Sequence, residues 1–589
     1  MTRRAPAFVL GLAALVRTAA GLWLGFRPFD DTYITFRYSL NLASGHGFVY
    51  NLGEPVLGTT APLWALVLAL VAAVGAPIEH TALAISLACD AASAFFLFRL
   101  LGALGFGAGI PLAGAMLFLG FFDYFSLARS GMESSFFVFL VLGSLASVAS
   151  RRFVVAAVFT ALAALTRPEG ALLVAVLPAA LWYYRADLRT REAGTALAVL
   201  LAIAGSWAVY ATLTFGSVVP QSVVAKAATF KDPALARFSW NNVGLFFLRG
   251  QYGGEIFTRT YLQLMPAISL LAGVGAAWLV VNLLRSRESG AIPRVALLLF
   301  FPCAYVAGMA LSHAFTYFPW YYAPIYPFLA ALAPIGTAAA TRSSAKAVFS
   351  VTAALVAAQL AAAAVVKLPA DSTFWVDGYF EVSDSVPRDV AVRVAAPEIG
   401  AVGWRVWPAA ILDMEGLVTP EAVGVSPEAY LKLKRPEYLI VRTDNAAELL
   451  GTLQRDPWFA QTYDLVAVRR DPPGAVGRGY EHEAERFLRA RGLLTIERNF
   501  RCRGGELDLV MDDAGTVVFV EVRYRRSVTY GTPGETVSRR KQQRILHAAQ
   551  LYLASHASRR DHPCRIDIVA ITGAGNAPKL DWIKNAFSA

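Results

Sequence analysis

GELDLVMDDAGTVVFVEVRYRR, residues 505–526, alternates acids with aliphatics, turns, and closes on Glu-Val-Arg. Period-two alternation on both sides of Asp-Asp-Ala-Gly-Thr predicts a β-hairpin. Side chains two apart share a face, so Glu521 and Arg523 project together from the second strand, while Asp508 stands on the first. Working outward, GYEHEAERFLRARG spaces Ala484, Phe487 and Leu488 as a helix that Gly492 can stop. ETVSRRKQQRILHAAQLYLA predicts a long helix that runs from basic to apolar, and CRIDIVAIT a further strand. The expected order over 478–589 is helix, strand, strand, helix, strand, a small soluble α/β fold.

Carboxylates on adjacent strands suit Mg²⁺, a hard cation that takes oxygen ligands. A metal with a nearby lysine can activate water for phosphodiester cleavage. Asp508 and Glu521 are the candidate metal ligands, and Glu481 could reach in from the first helix. Between 474 and 589 there are 19 Lys and Arg against 13 Asp and Glu, a net charge of +6. Arg539, Arg540, Lys541 and Arg544 form a basic helix start able to track phosphates. An alternating charged strand is more often a plain solvated face, so the spacing alone decides little.

The whole segment says more than the spacing. GRGYEHEAERFLRARG, NFRCRGGELDLV, VVFVEVRYR, YGTPGETVSRRKQQR, RIDIVAI and the terminal KNAF resemble the YraN family, in order, over nearly all of 478–587. The resemblance implies a restriction-endonuclease-like fold of the Holliday-junction-resolvase type. It implies Glu481, Asp508 and Glu521 as the acidic positions, a Mg²⁺ cofactor and a nucleic-acid partner. Arg523 departs from the pattern, which has lysine there. Arginine stays protonated and serves poorly as a base, though it can orient water or phosphate.

The rest of the chain belongs to another solvent. The 589 residues are 56% hydrophobic and 16% charged, with net charge +11, mean hydropathy +0.49 and pI about 9.5. Soluble domains carry nearer a quarter charged residues. Cys89, Cys303, Cys502 and Cys564 form no CxxC pair, which argues against a disulfide framework or a thiolate zinc site. Apolar runs fall at 5–26, 61–78, 82–102, 106–122, 134–149, 153–166, 169–184, 193–215, 262–283, 295–312, 322–340 and 346–366. They predict a multi-pass protein of the bacterial inner membrane, embedded in the lipid bilayer. The first run lacks a small-residue cleavage site and reads as a retained helix. From Lys367 onward no run is long and apolar enough to span. The expected division is a membrane domain at 1–366, a soluble extracytoplasmic α/β domain at 367–470, a Pro/Gly linker at 471–477 and the tail.

Basic residues mark the cytoplasmic side. Arg3 and Arg4, Arg151 and Arg152, Arg185 to Arg191, Arg285 to Arg294, and Arg342 with Lys346 all fall inside if one early run does not cross. The run 61–78, bounded by Ala-Pro-Leu-Trp and Gly-Ala-Pro, is the candidate for an interfacial or re-entrant helix. About eleven crossings remain, which places everything after 366 outside.

The loop after the first helix is then external. It carries adjacent Asp30 and Asp31 among Tyr, Asn, His, Gly and Trp, residues suited to binding a sugar. Glu133 in ARSGMES, Arg167 in TRPEG, Lys226 in FGSVVPQSVVAK and His313 in HAFTYFPWYY fall on the same face. A positioned carboxylate can take a proton from an acceptor hydroxyl as it attacks a sugar carbon. Asp30 or Asp31 is the candidate base, and Glu133 a second acid able to hold a divalent cation or orient the base. A leaving phosphate needs cations, for which Arg167, Lys226 and His313 are candidates. Each could instead be an ordinary loop charge.

DDTYITFRYSLNLASGHGFVYN, SGMES, TRPEG and FGSVVPQS resemble bacterial membrane glycosyltransferases of the GT-C type over about 1–470. DMEGLVTPEAV, 413–423, resembles part of their trailing external domain. The resemblance implies a polyprenyl-phosphate sugar donor and an active site on the outer face. A transporter, or a non-catalytic membrane protein with a vestigial tail that only binds, is the alternative. The charge count puts the tail outside, away from chromosomal DNA. Three accounts compete: a topology miscounted by one span, a fusion of two neighbouring genes, or a tail that binds something other than chromosomal DNA; the short join at 470–478 favours fusion.

Overall fold

The computed structural model describes residues 4–107, 109–186, 188–229, 243, 247, 258–285, 290–311, 319–365, 374–441, 452–453, 455–466, 484–485, 487–489, 491–502, 505–525, 539–556, 559, 562–572 and 579–587. The expected linker 471–477, Glu481 and His313 lie outside the described residues. The chain falls into two compact units, Met1–Val468 and Arg469–Ala589.

The first unit is mostly helical. Each of the twelve apolar runs is a helix. Five are long and apolar enough to cross a membrane: Ile78–Ala103, Thr190–Phe215, Leu264–Arg285, Ala291–Leu311 and Ala323–Ala340. The others are shorter apolar helices among the described residues. The 61–78 run yields α3 below, of only 12 residues. At 1.5 Å per residue it reaches about 18 Å, the same as the 12-residue helix Gly109–Gly120. Its Trp64, Ala65 and Leu68 are buried, and Trp64 Nε1 donates to the Gly131 carbonyl at 3.0 Å.

The segment that follows the first helix, α1 (Arg4–Leu24), is not an open loop. Residues Asp30–Ala43 form a second helix, α2, and Pro62–Ala73 form α3. The two aspartates do not trail from α1, as the sequence suggests; they occupy the first turn of α2, where the helix dipole favours acids. Tyr33, Phe36 and Tyr38 of α2 are buried. Their neighbours include residues far along the chain: Trp404 lies against both Tyr33 and Phe36, with ring centroids 5.9 Å apart in each case.

Those distant residues belong to a small α/β layer. Strands β1 (Arg393–Ala396), β2 (Ala410–Asp413) and β3 (Tyr438–Leu439) form a parallel sheet in the order β2-β1-β3. Parallel neighbours need crossovers, and helices Gly400–Arg405 and Pro427–Lys434 lie in the two connections. The sheet and α2 share one apolar cluster, from Tyr33, Phe36 and Tyr50 to Val394, Val402 and Ile411. The α/β layer and α2 are therefore one packed body.

A buried ion pair inside the apolar bundle escaped the sequence reading. Arg17 Nε, on α1, donates to Asp90 Oδ2 at 2.6 Å, and Arg17 Nη2 donates to the Phe121 carbonyl at 3.2 Å. A charge inside a membrane-type bundle needs such a partner.

The second unit is a five-stranded sheet in the order β4-β5-β6-β7-β8. The strands are β4 (Leu494–Cys502), β5 (Gly505–Asp513), β6 (Thr516–Arg525), β7 (Cys564–Thr572) and β8 (Lys579–Ile583). The β5–β6 hairpin is as expected, turning at Ala514 and Gly515, both with positive φ (49° and 92°). Two strands are additional to the expected order, the edges β4 and β8. Edge strands tolerate charge, and Glu497, Arg498 and Arg501 mask the apolar alternation of β4. β6 and β7 are parallel, and helix Arg539–Ser555 falls in the connection between them. Its Ile545, Ala548 and Tyr552 cluster with Val517, Phe519 and Ile568 on one face of the sheet. Ala484 and Leu488 cluster with Val518, Val520 and Val569 on the other.

Candidate functional site

The first cluster of expected site residues starts where α2 meets the α/β layer. Asp30 Oδ2 accepts from the Gly400 N–H at 2.9 Å and Oδ1 from the Ala401 N–H at 2.7 Å. Burial pushes the Asp30 carboxyl up to about 8, and Glu398 adds to the rise, while the two N–H groups pull it back. A Cβ on residue 400 would collide with the Asp30 carbonyl oxygen, so the close approach requires glycine. Both carboxylate oxygens of Asp30 are thus engaged in docking.

The polar side chains of 37–51 do the same work. Arg37 is fully buried; its Nε donates to the Tyr50 carbonyl at 2.9 Å, its Nη2 to the Ala409 carbonyl at 2.6 Å, and its Nη1 to the Gly403 carbonyl. Asn51 pairs with the edge of β2 through Ile411, donating at 2.8 Å and accepting at 2.9 Å. Tyr50 Oη donates to the Ile399 carbonyl at 2.7 Å, and Trp407 Nε1 to Asn41 Oδ1 at 2.8 Å. Residues that by type suit sugar binding are committed here to holding the soluble layer.

Asp31, next in the chain, is only half-buried. Around it the structure gathers several of the expected residues. Arg167 Nη1 donates to Glu133 Oε1 at 2.6 Å, and its Nη2 reaches Glu169 Oε1 at 3.2 Å. These three come from two helix ends: Glu133 caps the start of Ser134–Ala149, and Arg167 ends Phe153–Thr166. The Arg167 guanidinium also lies 5.7 Å from the centroid of the Tyr321 ring. Asp31 is within electrostatic reach of Glu133. Lys226, on helix Gln221–Thr229, is within reach of Tyr321, Asp31, Glu415 and Arg167.

Glu415 was not among the expected site residues. It follows β2 in a tight loop where Asp413 accepts from the N–H groups of Glu415 (2.9 Å) and Val418 (2.8 Å). Gln221 Nε2 donates to the Gly416 carbonyl at 3.2 Å, seating that loop on the helix that carries Lys226. Burial pushes the Glu415 carboxyl up to about 8, helped by Asp413 and Glu398 and opposed by Lys226. Strongly perturbed carboxyls cluster at functional sites. Only the placement of DMEGLV beside Gln221 would have revealed it. Arg129 serves the scaffold instead, donating to the Gly25 carbonyl at 2.9 Å and the Leu24 carbonyl at 2.7 Å.

In the second unit the β5–β6 ladder runs from Asp513 opposite Thr516 to Leu509 opposite Val520. One step further, Asp508 Oδ2 accepts from the Val522 N–H at 2.8 Å. Glu521 is buried, and its Oε1 lies 3.2 Å from Arg523 Nε. Glu521 alternates with Val517 and Phe519, so it shares the sheet face covered by helix Arg539–Ser555. Arg544 is exposed on that helix, and the side chains of Arg539, Arg540 and Lys541 lie outside the described residues. Ala484 and Leu488, from the segment expected to form the first helix, pack on the opposite face.

For Mg²⁺ the described residues supply Asp508 and Glu521, while Glu481 lies outside them. One oxygen of Asp508 is held by backbone, and the Glu521 carboxylate is paired with a guanidinium. Among the described residues of either unit, no three His, Cys, Asp or Glu stand together as a metal-ligand group.

Residues 480–571 match the uncharacterised protein family UPF0102, and residues 380–486 a domain of unknown function, DUF8728. A UPF0102 protein of Stutzerimonas stutzeri is 55% identical over 111 residues, 19% of this chain and 92% of that relative. One from Pseudomonas syringae is 50% identical over 121 residues, 20% of this chain and 98% of the relative. Among solved structures, ArnT from Cupriavidus metallidurans bound to undecaprenyl phosphate is similar at TM-score 0.48 and 14% identity, over 80% of this chain and 97% of that one. The Archaeoglobus fulgidus oligosaccharyltransferase in complex with Zn and sulfate is similar at TM-score 0.47 and 13% identity, over 71% of this chain and 63% of that one.

Proposed function

Through its C-terminal domain the chain belongs to the UPF0102 family, and from that premise we propose a two-part protein: a GT-C-type membrane glycosyltransferase carrying a nucleic-acid-binding tail. The first part takes its sugar from a polyprenyl-phosphate donor at the outer face of the bacterial inner membrane. The observation that carries this reading is the gathering of Asp31, Glu133, Arg167 and Lys226 beside the soluble layer, where the GT-C resemblance of the sequence puts the chemistry.

Asp31 is the base. The acceptor oxygen attacks the anomeric carbon and its proton passes to the Asp31 carboxylate. The carbon–oxygen bond to the lipid phosphate breaks, and the phosphate leaves with the electron pair. Lys226, within electrostatic reach of Asp31 and Arg167, is the cation assigned to that developing charge. Such electrostatic assistance acts best in a water-poor site. Glu133 is held by Arg167 as an orienting acid. Membranes bearing the protein should move labelled sugar from a polyprenyl-phosphate donor to an acceptor. Flux of a solute across the membrane with no sugar transferred would replace this reading with a transporter.

The tail binds nucleic acid on a restriction-endonuclease-like fold. Its net charge of +6 over 474–589 and the basic start of helix Arg539–Ser555 support binding by phosphate neutralisation. Cleavage is weak or absent, because Arg523 occupies the place of a lysine and pairs with Glu521. Loss of binding at all salt concentrations tested would leave the tail a structural appendage.

A further inference from the structure

A cavity of about 350 Å³ opens at the end of the helical bundle opposite Glu133 and Arg167. Its lining is mostly apolar, including Trp278, Ile335, Ala338 and Val348, and Arg294 and Ser343 are its polar side chains. That volume lies within the usual small-ligand range of about 300–1,000 Å³. Arg294 is held there: its Nε donates to the Leu104 carbonyl at 2.9 Å, and its guanidinium lies 5.5 Å from the Phe106 ring centroid. Arg285, Arg342 and Lys346 are exposed on the same end of the bundle. The described residues of 104–110, 290–294 and 341–348 include no acid, and Glu288, between Arg285 and Arg294 in sequence, lies outside the described residues. This is also the end that the positive-inside count assigns to the cytoplasm.

We infer that this cavity is a binding site for an anionic phospholipid of the inner leaflet. The apolar wall takes the upper part of an acyl chain, and Arg294 pairs with the headgroup phosphate. Two observations point to a lipid. The site is open among membrane-type helices, and an apolar wall stands beside Arg294, with Arg285, Arg342 and Lys346 further charges among the described residues of that end. A soluble anion would leave the apolar wall unused. The site is remote from the sugar-transfer residues and does not depend on that reading.

Trp278 provides the probe. The full chain is reconstituted in vesicles of phosphatidylcholine containing either bromo-acyl phosphatidylglycerol or bromo-acyl phosphatidylcholine. The Trp278 signal is taken as the difference from Trp278→Phe. Quenching should be stronger with the anionic bromolipid at equal mole fraction. A cation near a lipid surface contributes about a fivefold preference. That preference should vanish in Arg294→Gln, and quenching by both lipids should fall in Ala339→Phe, which fills the cavity. Equal quenching of the wild-type protein by the two bromolipids would overturn the inference without recourse to any variant. So would a preference that survives Arg294→Gln, or one abolished by millimolar inorganic phosphate at constant ionic strength.

Discussion

Arg167 Nη1 stands 2.6 Å from Glu133 Oε1, and each side chain is only 6% exposed. Thirty-three residues of helix and loop intervene between the two in sequence. Removing one charge of a buried pair strands the other, at a cost of about 3–5 kcal/mol. Arg167→Gln should therefore destabilise the detergent-solubilised protein more than Arg167→Gln combined with Glu133→Gln. Thermal unfolding compares the two. A double variant no more stable than the single one would show that the charges are not coupled.

Asp30 and Asp31 are adjacent but should respond differently. Loss of a general base costs about 10²–10⁴ in rate, so Asp31→Asn should cut sugar transfer at least about a hundredfold in a protein that still folds. Asp30→Asn, and equally Gly400→Ala, should loosen the soluble layer and raise its sensitivity to protease. Unchanged turnover in Asp31→Asn would move the base elsewhere, with Glu415 the next residue to test.

Asp30 and Glu415 also set a dependence on pH. Their folded-state values, both raised to about 8, lie above the ordinary 3.8 and 4.5. The stability they contribute is complete below the unfolded values and is lost as pH rises through the folded ones. Unfolding temperature should thus fall between about pH 4 and pH 8, each group contributing up to about 1.4 kcal/mol per pH unit. Asp30→Asn should flatten part of that slope. A wild-type stability that rises across the window would contradict the burial of these carboxyls.

Sidedness can be tested with two fusions that the fold obliges to agree. Gly45 is exposed just after α2, and α2 is bonded to the soluble layer through Asp30 and Arg37. Reporters at 45 and 470 should both read as external. A split result is incompatible with the packed body. A cytoplasmic reading at both would reverse the orientation and bring the tail to the chromosome's side.

A fragment of residues 474–589 should fold alone, since its sheet is covered on both faces by its own helices. It should bind branched or single-stranded DNA less tightly as salt rises. Arg523→Lys should raise any Mg²⁺-dependent cutting, and Glu521→Ala should remove it. Cutting that survives Glu521→Ala would place the metal elsewhere.

The sequence by itself determined the elements. Twelve apolar runs became twelve helices because burying apolar side chains needs no knowledge of the partner. The β5–β6 hairpin followed from alternation and an Ala-Gly turn. The family of the tail was legible from local motifs. Edge strands β4 and β8 were not, because charges facing solvent hide the alternation. Tertiary structure alone decided what the polar residues do. Asp30 and Asp31 are equivalent as letters, yet one caps Gly400 and Ala401 from 370 residues away while its neighbour is left half-buried beside Glu133 and Lys226. Arg17 with Asp90 is likewise a pair made only by packing, and packing alone brings Glu415 within electrostatic reach of Lys226. A carboxylate's role depends on which donors and charges surround it and how much water is excluded. Those are properties of space, and the order of residues along the chain does not carry them.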